Sequence, residues 1–183
     1  MGHFYLTQLL MDKLKASPQA RIVNLSSLAH TLGKNRLDFD DLMFEKSYDA
    51  GDSYNASKLS NVYFTKHLAQ KLKDENVENL KVVSVHPGVV RTELGRYFHE
   101  GLGCCGNFVM KLIFPLIYLL SKSPWYGTQT QLHCCLAPFE YLESGSYYSD
   151  CKVKKETLKT DWKEQAEQLW KWSEEAVSSY SSK

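Results

Sequence analysis

The sequence is short of nearly everything that would commit it to nucleic acid, to an extracellular disulfide fold or to a bilayer. It has no excess of charge: 22 basic against 21 acidic side chains in 183 residues leave a formal +1, too little to gather phosphates or anionic headgroups. It has no C-x-x-C pair. Its five cysteines fall as Cys104-Cys105, Cys134-Cys135 and Cys151, which suits neither a disulfide framework nor a zinc site and points to a reducing, intracellular compartment. No charged n-region leads into an apolar core after Met1, so no secretory signal is expected. The longest apolar stretch, Phe108 to Leu120, is too short for a membrane span and is broken by Lys111 and Pro115; it reads as a lid, as core packing or as a surface-binding patch. Internal repeats, low-complexity tracts and Pro/Ser linkers are also missing, so one domain over residues 1–183 is expected, with 101–123 as an apolar lid or insert. The 43% hydrophobic content suffices for its core.

What is present alternates between two periods. Apolar residues recur at helical spacing from Phe4 to Leu14, and Ser17-Pro18 closes that segment. Arg21 to Leu25 reads as a buried strand. Residues 28 to 53 are polar and Asp-rich, a long loop with one helical turn, its acidic cluster taken as solvated. Asn55 to Lys73 carries the apolar stripe Leu59, Val62, Tyr63, Leu68, Ala69 and Leu72 of a helix. Lys81 to Val85 is a second strand, followed by a short helix over Thr92 to Phe98 and a Gly/Cys-rich turn over 101–107. Trp125 to Leu136 is a helix, Ser146 to Ser149 the final strand, and Asp161 to Tyr180 a long terminal helix on which Trp162, Trp170 and Trp172 are spaced for packing. Strands alternating with helices imply a parallel sheet covered on both faces.

Three pieces carry chemistry. Asn24-Leu25-Ser26-Ser27 ends one strand, Tyr54-Asn55-Ala56-Ser57-Lys58 opens a helix, and His86-Pro87-Gly88 ends the next strand. Ligands in open α/β sheets bind in the crevice beyond the carboxyl ends of the strands, where Ser27 and Pro87-Gly88 fall. Tyrosine and lysine at i and i+4 share a helical face, so an ammonium can sit beneath a phenol and favour its ionised form. A serine hydroxyl nearby can orient a carbonyl or alcohol oxygen against that phenol. Tyr-x-x-x-Lys alone is a weak signal; joined to Ser-Ser and Pro-Gly in this order it is strong. His86 reads as a strand-end histidine with a satisfied ring, and His3, His30 and His133 have no ligand-like spacing, so no metal site is expected.

These residues resemble the short-chain dehydrogenases/reductases, and most closely their retinol dehydrogenase branch. Beyond Tyr54-x-x-Ser57-Lys58, the resemblance takes in Gly2-His3-Phe4, the run Ile22 to His30, the run His86 to Leu94, and Gly145 to Cys151. It implies a Rossmann-type, doubly wound α/β fold of which this chain is the C-terminal, catalytic part, with the first βαβ units missing. It also implies Tyr54 as general acid/base, Lys58 as the residue that tunes Tyr54 and holds the nicotinamide ribose, and Ser27 as the residue that orients the carbonyl. Pro87, Gly88, Val90 and Thr92 would line the nicotinamide end of NADP, with NAD as the alternative because the selecting residues are absent from this sequence. The implied substrate is a lipophilic alcohol or aldehyde such as retinol or retinal. The implied setting is the endoplasmic reticulum or a mitochondrion, with contact to a membrane surface.

The family's opening strand, its glycine-rich pyrophosphate turn, its Asn-Asn-Ala-Gly strand and its active-site Asn have no counterpart before Ser27. Gly101 to Gly106 fits G-x-G-x-x-G spacing but follows no strand, and reads as a turn. The strand ending at Ser27 would therefore have a bare edge, and the helix from Phe4 to Leu14 would lose part of its packing. Function then divides between a truncated NADP-dependent oxidoreductase, a non-catalytic interaction subunit, and one chain of a split enzyme that needs its missing half or a partner chain.

Overall fold

A computed structural model describes residues 1–91, 115 and 118–181. Thr92, the expected helix over 92–98, the glycine-rich turn and most of the 101–123 segment lie outside the described residues. Helix α1 spans Gly2–Ala16 and stops at Ser17, whose extended backbone is the conformation that a following proline imposes. Strand β1 is Ala20–Leu25, and a 3-10 turn follows at Leu28–Thr31. Helix α2 runs over Ala50–Asp74, β2 over Leu80–His86. Helices α3 (Pro124–Gly127) and α4 (Gln129–Leu136) meet at Thr128, which keeps a right-handed helical backbone, so the expected Trp125–Leu136 helix is there with one irregular joint. Strands β3 (Tyr147–Ser149) and β4 (Lys152–Lys154) precede the last helix, α5 (Trp162–Ser181).

Two element boundaries are corrected. Helix α2 starts at Ala50 rather than at Asn55, because the Asp49 carboxylate accepts from the Asp52 N–H at 2.8 Å and caps it; Tyr54 therefore stands in the second turn instead of opening the helix. Ser149 does not end the last strand of the sheet, since β4 returns antiparallel beside β3 through Asp150 (φ 53) and Cys151 (φ 59). A turn with both central residues left-handed matches the twist of a hairpin, but Asp-Cys is not the Asn-Gly or Asp-Gly pair that announces it.

The sheet order is β1-β2-β3-β4, parallel across the first three strands. Helix α2 is the crossover from β1 to its neighbour β2, in register Ala20 to Leu80 through Leu25 to Val85. One face of the sheet (Ala20, Ile22, Leu80, Val82) packs under α1, α2 and α5 through Phe4, Phe64, Leu68, Leu72 and Trp170. Trp170 lies edge-on to Phe4 at 5.0 Å and stacks on Phe64 at 5.9 Å, as aromatic quadrupoles prefer. The other face (Val23, Val83, Val85) packs on α4 through Cys134 and on Leu142 and Tyr148. Arg21 fastens β1 to that layer: its guanidinium donates to the Cys134, Cys135 and Ala137 carbonyls, which the end of α4 leaves without helical partners.

The Asp-rich loop is not simply solvated. Leu37, Phe39 and Leu42 pack with Leu59, Tyr63, Ala166 and Leu169 between α2 and α5, and the Leu37 N–H donates to the Gln165 side chain at 2.9 Å. The Asp41 carboxylate accepts the N–H groups of Glu45, Lys46 and Ser47; these bonds outweigh its desolvation and hold its pKa below the usual carboxylate value. Strand β1 is the sheet edge among the described residues, and Leu6 and Leu9 of α1 are 58% and 62% exposed. No helix among the described residues is long and apolar enough to cross a membrane.

The buried Asn24 amide donates to the Thr65 hydroxyl at 2.9 Å, tying β1 to the middle of α2. Thr65→Val keeps the shape and leaves that amide without its acceptor, so a loss of about 1–3 kcal/mol is expected in urea unfolding. An unchanged midpoint would remove this bond from the account.

Candidate active site

The carboxyl end of β1 is tied to α2 at three successive residues. Besides the Asn24 bond, the Leu25 carbonyl accepts from the Asn61 amide at 2.9 Å, and the Ser26 hydroxyl donates to the Lys58 carbonyl at 2.8 Å. Ser26 also donates its N–H to the Val85 carbonyl at 2.8 Å and is 2% exposed, so it is the structural member of the serine pair. Ser27 is half-buried and caps the 3-10 turn, its Oγ accepting from the Ala29 N–H at 3.2 Å. That bond uses a lone pair and keeps the hydroxyl proton free to be donated.

One helical turn separates Tyr54 and Lys58, both half-buried, and the Lys58 ammonium lies 5.4 Å from the centre of the Tyr54 ring. Burial lowers the Lys58 pKa from its ordinary value, and no carboxylate forms an ion pair with it among the described residues. A desolvated ammonium beside a phenol and without an acid partner is suited to stabilise a phenolate or to hold hydroxyl groups. Ser57, exposed, turns its hydroxyl back to the Tyr54 carbonyl at 2.8 Å and is used within the helix.

Pro87, Gly88 and Val90 leave the carboxyl end of β2, one strand over from Ser27. Gly88 has φ +91, and a Cβ there would meet the Lys122 Cδ and Cε at 2.9 Å; only glycine lets the backbone turn this close. Lys122 is held by Asp150 at 2.5 Å, and its backbone exchanges hydrogen bonds with Val89 and Arg91. Val90 packs over Gly127, where a Cβ would approach its Cγ2 to 2.6 Å. Ser27, Tyr54, Lys58, Pro87, Gly88 and Val90 thus share one end of the sheet, while Thr92 lies outside the described residues. A concave space of about 320 Å³ adjoins this end: Ser57, Lys58 and Asn61 line it along with Phe4, Phe44 and Trp170, and Ser27, Tyr54 and Pro87 do not. Sequence reasoning missed Asn61, because an asparagine on a helix face carries no local sign that it will reach a strand carbonyl.

No family model matches the chain. Retinol dehydrogenase 12 of Bos taurus is 45% identical over 93% of this chain, which spans 49% of that protein. Retinol dehydrogenase 11 of Mus musculus is 45% identical over 84% of this chain and 44% of its own length. A solved NADPH-bound carbonyl reductase from chicken fatty liver superposes with a TM-score of 0.51 at 19% identity, covering 83% of this chain and 52% of that one, a likeness of fold alone. Over 84–93% of its own length the chain is therefore similar to retinol dehydrogenases. It spans about half the length of the curated relatives it matches.

Three histidines have pKa values lowered mainly by burial: His30 and His86 at this end of the sheet, and His67 further along α2. Unfolding exposes them, so between their unfolded value near 6.5 and their folded values the unfolded chain binds more protons. The stability they contribute is present above about pH 6.5 and is lost as pH falls below it through the folded values. A thermal midpoint clearly lower at pH 5.5 than at pH 7.5 is expected, and equal midpoints would contradict it.

Proposed function

We propose that this chain is the chemical half of an NADP-dependent oxidoreductase that interconverts a lipophilic alcohol with its aldehyde or ketone, retinol and retinal being the model pair. The carrying observation is the Tyr54–Lys58 stack at 5.4 Å on a helix hydrogen-bonded at Lys58 to Ser26, beside Ser27. In reduction, Tyr54 Oη gives its proton to the carbonyl oxygen; in oxidation it takes the alcohol proton. The Ser27 hydroxyl donates to the same oxygen and orients it. The Lys58 ammonium stabilises the phenolate as it forms and holds the nicotinamide ribose. Pro87, Gly88 and Val90 would line the nicotinamide end, as the resemblance also implies for Thr92; the left-handed Gly88 gives backbone without a Cβ, and an ammonium with no carboxylate partner among the described residues suits ribose hydroxyls. When bound, the nicotinamide supplies or accepts the hydride. The choice of NADP over NAD follows from the branch resemblance.

Residues 1–183 are read as one partial Rossmann-type domain. Its open β1 edge and the exposed Leu6 and Leu9 of α1 favour completion by a further strand and helix, from the cofactor-binding part of the same protein or from a partner chain. Those same features would serve a non-catalytic interaction subunit, but such a subunit has no use for Ser27, Tyr54 and Lys58 together.

In the complete enzyme Tyr54→Phe is expected to lower the NADPH-dependent reduction of a long-chain aldehyde by about 10²–10⁴-fold, with NADPH binding, followed by fluorescence, nearly intact. Loss of binding and turnover together would make the tyrosine structural.

A further inference from the structure

The peptide joining Ser27 to Leu28 is held at both of its polar ends by a histidine. Its carbonyl oxygen lies 2.6 Å from His30 Nδ1 and also accepts the His30 backbone N–H at 3.1 Å. Its N–H donates to His86 Nδ1 at 3.3 Å. Because a carbonyl only accepts, His30 must carry its proton on Nδ1; because an amide N–H only donates, His86 must leave Nδ1 bare. The His30 ring is itself fixed: it is 1% exposed and stands edge-on to Tyr147 of β3 with ring centres 4.8 Å apart. Turning this peptide would swing the Ala29 N–H that orients the Ser27 hydroxyl.

We propose that His30 and His86 are positioning residues for Ser27, gripping the Ser27–Leu28 peptide from its two ends. The catalytic consequence rests on the oxidoreductase reading above; the grip itself does not. The His30 end survives protonation, because Nδ1 is the donor in either ring state. The His86 end does not, because a protonated ring presents a second N–H to the Leu28 N–H. The charged and titratable groups facing His86 are Asp150 from the β3–β4 turn, Lys122 from the segment before α3, and His30. Facing His30 are Glu156, which is paired with Lys66 at 2.9 Å, together with Tyr147 and His86. Acidification should therefore loosen the serine before it touches the phenol.

The test is made in the complete enzyme, this chain together with the cofactor-binding part that the reading above assigns to the rest of the protein, and compares it with His86→Leu, which lacks the acceptor, and with His86→Asn, whose Oδ1 can take the place of Nδ1 but does not titrate. Amide exchange at Leu28 is read from about pH 5 to 8, the range in which an imidazole titrates, together with the pH dependence of kcat for a long-chain aldehyde. In the unaltered chain Leu28 is expected to be protected at the upper end and to lose protection on acidification. In His86→Leu, Leu28 exchanges freely throughout, and kcat falls about 10- to 100-fold with KM little changed, the size of effect a small misplacement produces. In His86→Asn, protection and kcat return and the acid limb of kcat disappears. Protection of Leu28 in His86→Leu, or an acid limb that persists in His86→Asn, overturns the proposal; should His86→Leu fail to fold, His86→Asn decides alone. The expected Leu28 pattern without turnover in any form would sink the oxidoreductase reading and leave the grip standing.

Discussion

The structure depends on the attachment of one strand end to one helix. A parallel pair cannot be closed by a hairpin, so β1 reaches β2 only through the long crossover α2, and nothing local fixes how far that helix slides along the strand. Asn24, Leu25 and Ser26 fix it, each with a hydrogen bond to a different turn of α2, at Thr65, Asn61 and Lys58. Each bond is worth only about 0.5–1.5 kcal/mol net, but together they set a single register. Lys58 lies on that register, so the residue that fastens the helix to the strand also carries the ammonium beneath Tyr54. Packing beneath, from Phe64 and Leu68 to Trp170, supplies the bulk of the stabilisation without specifying this alignment.

The same strand bounds what the described chain encloses. β1 pairs with β2 on one side, Arg21 anchors it to α4 below, and its other side is the edge of the sheet. The exposed leucines of α1 lie on a helix packed over that strand, which is where a Rossmann-type sheet would continue. The Tyr54–Lys58 pair therefore stands beside a surface that the described residues do not close. The cavity beside Lys58 stops short of Ser27 and Tyr54.

Much of this was legible in the sequence, and for identifiable reasons. The Ile22–Val23 and Val82–Val85 strands announce themselves as apolar runs, and the α2 and α5 stripes as 3.6-residue periods, because burial writes period into sequence. The Tyr54–Lys58 pairing is a property of one helix and needed no tertiary information. The misses are of another kind. The start of α2 depended on Asp49 acting as a cap inside a stretch crowded with acidic residues; the β3–β4 turn used Asp150 and Cys151 where glycine is expected; and Leu37 and Leu42 were hidden in a polar loop whose packing partners lie on α5. His30 and His86 were legible as histidines but not as a pair, since only the meeting of β1 and β2 brings them to opposite ends of one peptide.

The most direct measurement is carbonyl reduction by two pieces mixed together: this 183-residue chain and the half of bovine retinol dehydrogenase 12 that it does not match, with NADPH and a long-chain aldehyde. The account predicts turnover in the mixture that neither piece gives alone, because it assigns Ser27, Tyr54 and Lys58 to this chain and cofactor phosphate binding to the other piece. A folded complex that binds NADPH and leaves the aldehyde untouched would contradict it.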